Sequence, residues 1–294
     1  MRYRAAAVQM EIKTTDKQKN LAKALSLLEA AAADGAKAIC FPDYFLTDVP
    51  DISMAKRGLK EIAEPIPGPS IDTFGKAAKK LGVYVVAGSI LEMGEDKKIY
   101  STSAFLGPDG KLIGKVRKTH PENAPAKYEI GCGVVPAPGE FPIFNTELGK
   151  VGIMIDMDGV ACEVPRILGL KGADVVFWPT NFSSRFTDGI HLMNRYNSIA
   201  AVFAYVVSSA RTGWRMDTAV HAWAFMGEDR VDMMYGGATG ITFGGAYIAM
   251  VNDFAEGYAI AIIDSEKPAM VRKLRKEVMP LERRPELYDL ISKL

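Results

Sequence analysis

An eleven-residue pattern occurs twice in this chain, and that repeat limits the possible folds more than any other feature. Gly35-Ala36-Lys37-Ala38-Ile39-Cys40-Phe41-Pro42-Asp43-Tyr44-Phe45 aligns without a gap on Gly172-Ala173-Asp174-Val175-Val176-Phe177-Trp178-Pro179-Thr180-Asn181-Phe182. Each copy reads as a helix-ending glycine, an apolar strand and a proline at the strand's carboxyl end. Each also follows a strand and a helix, the strands being Ala5 to Met10 and Val151 to Asp156. The copies lie too far apart for a solenoid repeat. They read as two related β-α-β halves of one α/β domain, with parallel strands covered by helices. Loops that follow such strands converge on one site. The competing reading is coincidence between two ordinary helix-to-strand turns.

The rest of the chain is consistent with this scheme. Arg2 to Met10 reads as a buried strand. Thr15 and Gln18 have capping-box spacing ahead of Leu21, Ala24, Leu25 and Leu28, which recur at helical intervals. A second helix is predicted over Ser70 to Leu81, with Ile71, Phe74, Ala78 and Leu81 inward, followed by a strand from Val83 to Gly88. Tyr100 to Leu106 and Lys111 to Lys118 read as a hairpin closed by Pro108-Asp109-Gly110.

Charge and cysteine usage exclude several functions. The formal net charge of the 294 residues is +1, and neither sign forms a long run. Nucleic-acid and anionic-membrane binding need clustered Lys and Arg, so neither is expected. No apolar run approaches the ~18 residues of a membrane span, and Ala5 to Val8 is too short for a secretion signal. Cys40, Cys132 and Cys162 lack CxxC spacing, which fits reduced thiols in a cytoplasm. His120, His191 and His221 are too scattered for a metal box, and Gly131-Cys132-Gly133 lacks the strand-to-helix setting of a dinucleotide loop. Neither a metal nor a cofactor is expected.

Five blocks in order then give the chain a resemblance to a known family: Ala7-Val8-Gln9; Phe41-Pro42-Asp43; Lys115-Val116-Arg117-Lys118-Thr119-His120; Lys150 to Ala173, with Gly152, Asp158, Glu163, Arg166 and Gly172; and Arg283-Arg284-Pro285-Glu286-Leu287-Tyr288. Over nearly its whole length the chain resembles the nitrilase superfamily of carbon–nitrogen hydrolases. The resemblance implies a four-layer αββα sandwich formed by one domain over residues 1–294. It also implies a homodimer or larger homo-oligomer, with a C-terminal tail, about residues 265–294, packing on a partner subunit. It further implies hydrolysis or transfer at non-peptide C–N bonds of a small molecule. The family site holds a Glu base, a Lys that stabilises the tetrahedral intermediate, a nucleophilic Cys and a second Glu. Carried over by position, these slots fall on Asp43, Lys118, Asp156 and Glu129. A nucleophile needs a neighbouring base, and a developing oxyanion needs fixed positive charge. Alternation along the strand puts His120 on the same face as Lys118. His120 and the loop residues Tyr44, Asn181 and Phe182 are therefore expected to contact substrate.

Two slots depart from the pattern: Asp43 is one methylene short of Glu, and Asp156 replaces the thiol. Cys162, six residues later, is expected to point away from the pocket as a structural thiol. Three readings follow. The chain is an amidase-type hydrolase whose cysteine was replaced, although an engineered knock-out usually introduces Ala or Ser and would not also alter position 43. Alternatively, Asp43, Glu129 and Asp156 around one lysine form an acid–base pocket for elimination, cyclisation or direct activation of water. The third reading is a non-catalytic binding homologue. Carboxylates crowded together cannot all ionise cheaply, so one is expected to stay protonated, with Asp156 the first candidate.

Overall fold

The computed structural model describes residues 1–13, 16–50, 54–55, 58–122, 129–218, 231–278, 284–289 and 291. Strand β1 (Arg2–Glu11), helix α1 (Lys17–Ala33) and strand β2 (Ala36–Cys40) form the first β-α-β unit, with β1 and β2 parallel. The second echo copy has the same form: β7 (Gly149–Ile153), α3 (Glu163–Leu170) and β8 (Val175–Thr180), again parallel. Helix α2 (Pro69–Leu81) lies between them in sequence and matches its expected span within a residue.

Two sheets carry the chain. In the first, β3 (Tyr84–Met93) pairs with β2, β4 (Ile99–Leu106) with β3 and β5 (Leu112–Arg117) with β4, while β13 (Gly257–Asp264) lies antiparallel to β1. The second runs from β6 (Ile143–Thr146) through β7 and β8 to β9 (Tyr205–Thr218), then β11 (Gly240–Phe243) and β12 (Ala246–Met250), while β10 (Val231–Gly236) pairs antiparallel with the far end of β9. The end of β1 joins β9 at Met10 and Glu11 and ties the sheets together.

Strand alternation accounts for the four layers, because each doubly buried strand feeds two cores. Ala6, Val8 and Met10 of β1 pack with Leu28 of α1 and Phe74 of α2, whereas Ala5 and Ala7 face Val151, Val175 and Phe177 of the other sheet. On β8, Val176 and Trp178 turn to Val164 and Leu168 of α3. The order is thus helices, sheet, sheet, helices, with α4 (Thr187–Ala200) beside α3 in the last layer. Phe74 meets Phe41 and Phe45 edge-on at centroid distances of 5.2 and 5.4 Å. Such pairs add ~0.5–1.5 kcal/mol each beyond area burial, and Phe74→Ala is expected to cost ~3–5 kcal/mol.

Local details differ from the expected ones. The N-cap of α1 is Asp16, whose carboxylate accepts the Lys19 N–H at 3.2 Å; Thr15, the expected cap, lies outside the described residues. The strand after α2 continues past Gly88 to Met93, with an irregular register against β4 between Ala87 and Ile90. After β13, helix α5 (Lys267–Val278) is fastened to its own chain where Arg272 donates to the Ala173 carbonyl and the Asp174 carboxylate. Its Met270, Leu274 and Val278 are exposed. No helix among the described residues is long and apolar enough to cross a membrane.

Candidate active site

The loops that follow the two echo strands meet at their carboxyl ends. β2 stops at Cys40, and the chain turns at Pro42 over Gly88 of β3. A Cβ at Gly88 would stand 1.9 Å from the Pro42 carbonyl oxygen, and its φ is 28°, so a side chain at position 88 would displace the turn. The Asp43 N–H then donates to the Thr180 carbonyl at 3.3 Å, and the Asn181 side-chain amide returns a bond to the Asp43 carbonyl at 3.3 Å. Asp43 and Thr180 occupy corresponding places in the two echo copies, so the repeat folds into a direct contact.

Lys118 comes one residue after β5 and is anchored by its N–H to the Ser101 carbonyl at 2.8 Å. Asp156 follows β7 by three residues rather than ending it, and has a positive φ of 47°. That conformation costs a non-glycine residue ~1–3 kcal/mol and persists only when its surroundings hold it. Here the Trp178 indole donates to the Asp156 carbonyl at 2.9 Å, and the Asn181 N–H donates to its Oδ1 at 3.1 Å. Gly159 makes room for Trp178, since a Cβ there would lie 2.3 Å from the indole.

These elements bring one ammonium against three carboxyl groups. Lys118 Nζ lies 2.8 and 3.0 Å from the two Glu129 oxygens, 2.8 Å from Asp156 Oδ2 and 3.8 Å from Asp43 Oδ2. Tyr44 donates its phenol to Glu129, and the Glu122 N–H donates to the same carboxylate at 2.6 Å. Burial works against the Lys118 ammonium, but the charges of Asp156, Glu129 and Asp43 outweigh it and raise its pKa well above the usual lysine value.

Pressure to stay protonated falls on Asp43. Asp43 is fully buried, its Oδ1 accepts a short bond from Ser89, and its Oδ2 has no hydrogen-bond partner. Desolvation raises its pKa well above the carboxylate range; Lys118 opposes the shift, and Asp156 and Glu129 add to it. At Asp156, Lys118 and the Asn181 N–H bond to the two oxygens. Both residues come three positions after their strands, so the difference lies in the donors that reach their oxygens.

The cluster forms the floor of a cavity of about 250 Å³. Asp43, Lys118, Glu129, Asp156, Asn181 and Phe182 line it, and Tyr44 sits behind Glu129. His120 is not among the lining residues, contrary to expectation. β5 ends at Arg117, so strand alternation no longer governs position 120. The ring of His120 bonds instead to Asp158 at 3.0 Å and is 48% exposed on its side chain. Asp158 also accepts from the N–H groups of Thr119, His120 and Ile155, and so joins the loops that carry Lys118 and Asp156. Cys162 is exposed at the start of α3 and does not line the cavity.

Glu122 lines the cavity without having been expected there. Burial lifts its pKa to about 7, with Asp156 and Glu129 pushing the same way and Lys118 opposing. It lies in a loop, where no periodicity aims a side chain. Its only sequence signal was an acidic residue four positions past Lys118. The assembled groups suit proton transfer: buried carboxyl groups pressed towards their protonated form and one fixed ammonium within a few ångströms. No group of three His, Cys, Asp or Glu side chains arranged to hold a metal occurs among the described residues.

Comparison with known proteins agrees with this architecture. The sequence model of the carbon-nitrogen hydrolase family matches residues 4–273. Omega-amidase NIT2-B of Xenopus laevis is 32% identical over 235 residues, covering 76% of this chain and 82% of its own. The fold superposes on a carbon-nitrogen hydrolase from Helicobacter pylori with a TM-score of 0.80 at 19% identity, covering 98% of both chains. A Nesterenkonia amidase mutant, solved with the acetamide moiety of fluoroacetamide added covalently at its active-site cysteine, aligns with a TM-score of 0.76 at 15% identity. That alignment covers 98% of this chain and 95% of the amidase.

Proposed function

The chain belongs to the carbon–nitrogen hydrolase family as an amidase-class enzyme, and from that premise we propose that it hydrolyses a small polar amide, carbamoyl or amidine-like substrate by direct activation of water. Asp156 takes the place that the family gives to its cysteine, and Asp43 the place of the glutamate base. The observation that carries this reading is the geometry around Lys118: a fully buried Asp43 oxygen with no hydrogen-bond partner 3.8 Å from its ammonium, and an Asp156 side chain that the same ammonium orients at 2.8 Å. The omega-amidase relatives support an amide as the bond broken.

Carboxylates attack amides poorly, so Asp156 is assigned to water. Each of its oxygens has one donor, and a carboxylate offers about four acceptor sites. Asp156 removes a proton from water as the water oxygen bonds to the substrate carbonyl carbon. The carbonyl π pair moves onto oxygen, where Lys118 balances the charge. When the C–N bond breaks, its electron pair goes to nitrogen, and the Asp43 acid supplies that nitrogen with a proton. The products are a carboxylic acid and an amine or ammonia. Asp156 then holds the proton it took from water, and its transfer to Asp43 restores the starting state. Glu129 positions Lys118.

Asp156→Asn tests the reading. It keeps the shape and the acceptor for the Asn181 N–H but removes the base. Ammonia release from a panel of small amides is expected to fall by at least ~100-fold, while calorimetry shows substrate still bound. Turnover at the parent rate would make Asp156 structural. A protein that binds the amides and releases no ammonia would be a binding homologue.

A further inference from the structure

The cavity's charges select among amides. Its described lining carries four carboxyl groups, Asp43, Glu122, Glu129 and Asp156, and one cationic side chain, Lys118. An ammonium has three donors, and those of Lys118 are directed at Glu129 and Asp156. Lys118 is held at the reacting carbonyl by these partners, and among the described residues no second cation lines the cavity for a substrate carboxylate. The unpartnered groups there are acceptors instead. The Glu122 carboxylate has no hydrogen-bond or ion-pair partner among the described residues. Asn181 is 9% exposed, and its Oδ1 is likewise without a hydrogen-bond partner among the described residues. Phe182, Phe186, Ile190 and Met193 supply an apolar wall.

We propose that the substrate is a small amide carrying a cationic group, an ammonium or amidinium, joined to the amide by an apolar spacer. Glu122 is its ion partner and Asn181 Oδ1 a hydrogen-bond acceptor. The inference rests on the amide-hydrolase reading above and narrows its substrate class. A half-buried carboxylate without a partner, set among other carboxyl groups, is unfavourable until a cation arrives, so binding of the cation relieves a cost that the free protein carries. An anionic amide would meet the opposite field.

Three chain-matched amides test this: 6-aminohexanamide (cationic), heptanamide (neutral) and the monoamide of adipic acid (anionic). Ammonia release gives kcat/KM, and calorimetry gives Kd independently of turnover. The cationic amide is expected to exceed the neutral one by about 10-fold or more in both, the scale of a charge-assisted hydrogen bond, with the anionic amide last. Glu122→Gln is expected to bring the cationic-to-neutral ratio within about 3-fold of unity. Glu122→Asp, which keeps the charge, is expected to retain part of the preference. Equal use of the three amides, or preference for the anion, overturns the cationic class and leaves the hydrolase reading intact. Tighter binding of the cation without ammonia release upholds the class and overturns the hydrolase reading. Failure of all three to bind overturns the cationic class as well.

Discussion

Replacing Asp43 by Asn is expected to stabilise the protein near neutral pH while removing its activity. The carboxyl is fully buried and its pKa is raised well above 3.8. For an acid shifted in this direction, the folded state holds a proton that the unfolded chain has released. Between the unfolded and folded pKa values, stability therefore falls as pH rises, by about 1.4 kcal/mol per pH unit. A side-chain amide at this position has no proton to lose. Its oxygen can still accept from Ser89, and its nitrogen replaces an oxygen that has no hydrogen-bond partner, so no hydrogen bond is broken, although the 3.8 Å contact with Lys118 is lost. The amide group introduces a buried donor that costs ~1–3 kcal/mol where it is unsatisfied. The variant thus starts less stable near pH 4 and gains on the parent by about 1.4 kcal/mol per pH unit until the folded pKa of Asp43 is passed. Urea denaturation of both proteins at half-unit intervals from pH 4.5 to 8 measures the gain, and the pH at which the difference levels off reads the folded pKa of Asp43. Ammonia release is expected to fall at least ~100-fold, because the acid for the leaving nitrogen is gone. A stability difference that is constant across pH 4.5 to 8 would refute the reasoning, since Asp43 would then ionise as an ordinary carboxylate.

Lys118→Met leaves Glu129 and Asp156 buried without their counter-charge, and breaking such a cluster costs ~3–5 kcal/mol. Chemical denaturation at pH 8 measures it, and a loss below ~1 kcal/mol would contradict the cluster's assigned strength. Thiol alkylation should leave ammonia release intact. Cys162 is exposed and will react, while burial pushes the Cys40 thiol up to about 12 and keeps it inert. Loss of turnover in step with labelling of Cys162, followed by peptide mass mapping, would transfer the nucleophile's role to that residue.

The sequence by itself determined the parallel β-α-β units and the strands that bring Asp43, Lys118 and Asn181 towards one place. Runs such as Ala5 to Val8 and Val175 to Trp178 can be buried only if both faces are covered, and a repeated glycine, strand and proline fix where the chain emerges. Side chains outside regular elements escaped that logic. His120 follows Lys118 by two positions, yet β5 ends between Arg117 and Lys118, and Asp158 holds the ring outside the cavity. Glu122, in the same loop, turns inward because its own N–H is tied to Glu129. The environments of the two aspartates were also a tertiary matter. Asp43 and Asp156 are the same residue type, both near a strand end, and differ in the donors that reach their oxygens. Desolvation and ion pairing are set by atoms far apart in sequence: Ser89 and Lys118 for Asp43, Lys118 and the Asn181 N–H for Asp156. Periodicity predicts which side of a strand is buried, but the energy of a buried charge depends on neighbours that only the folded chain supplies.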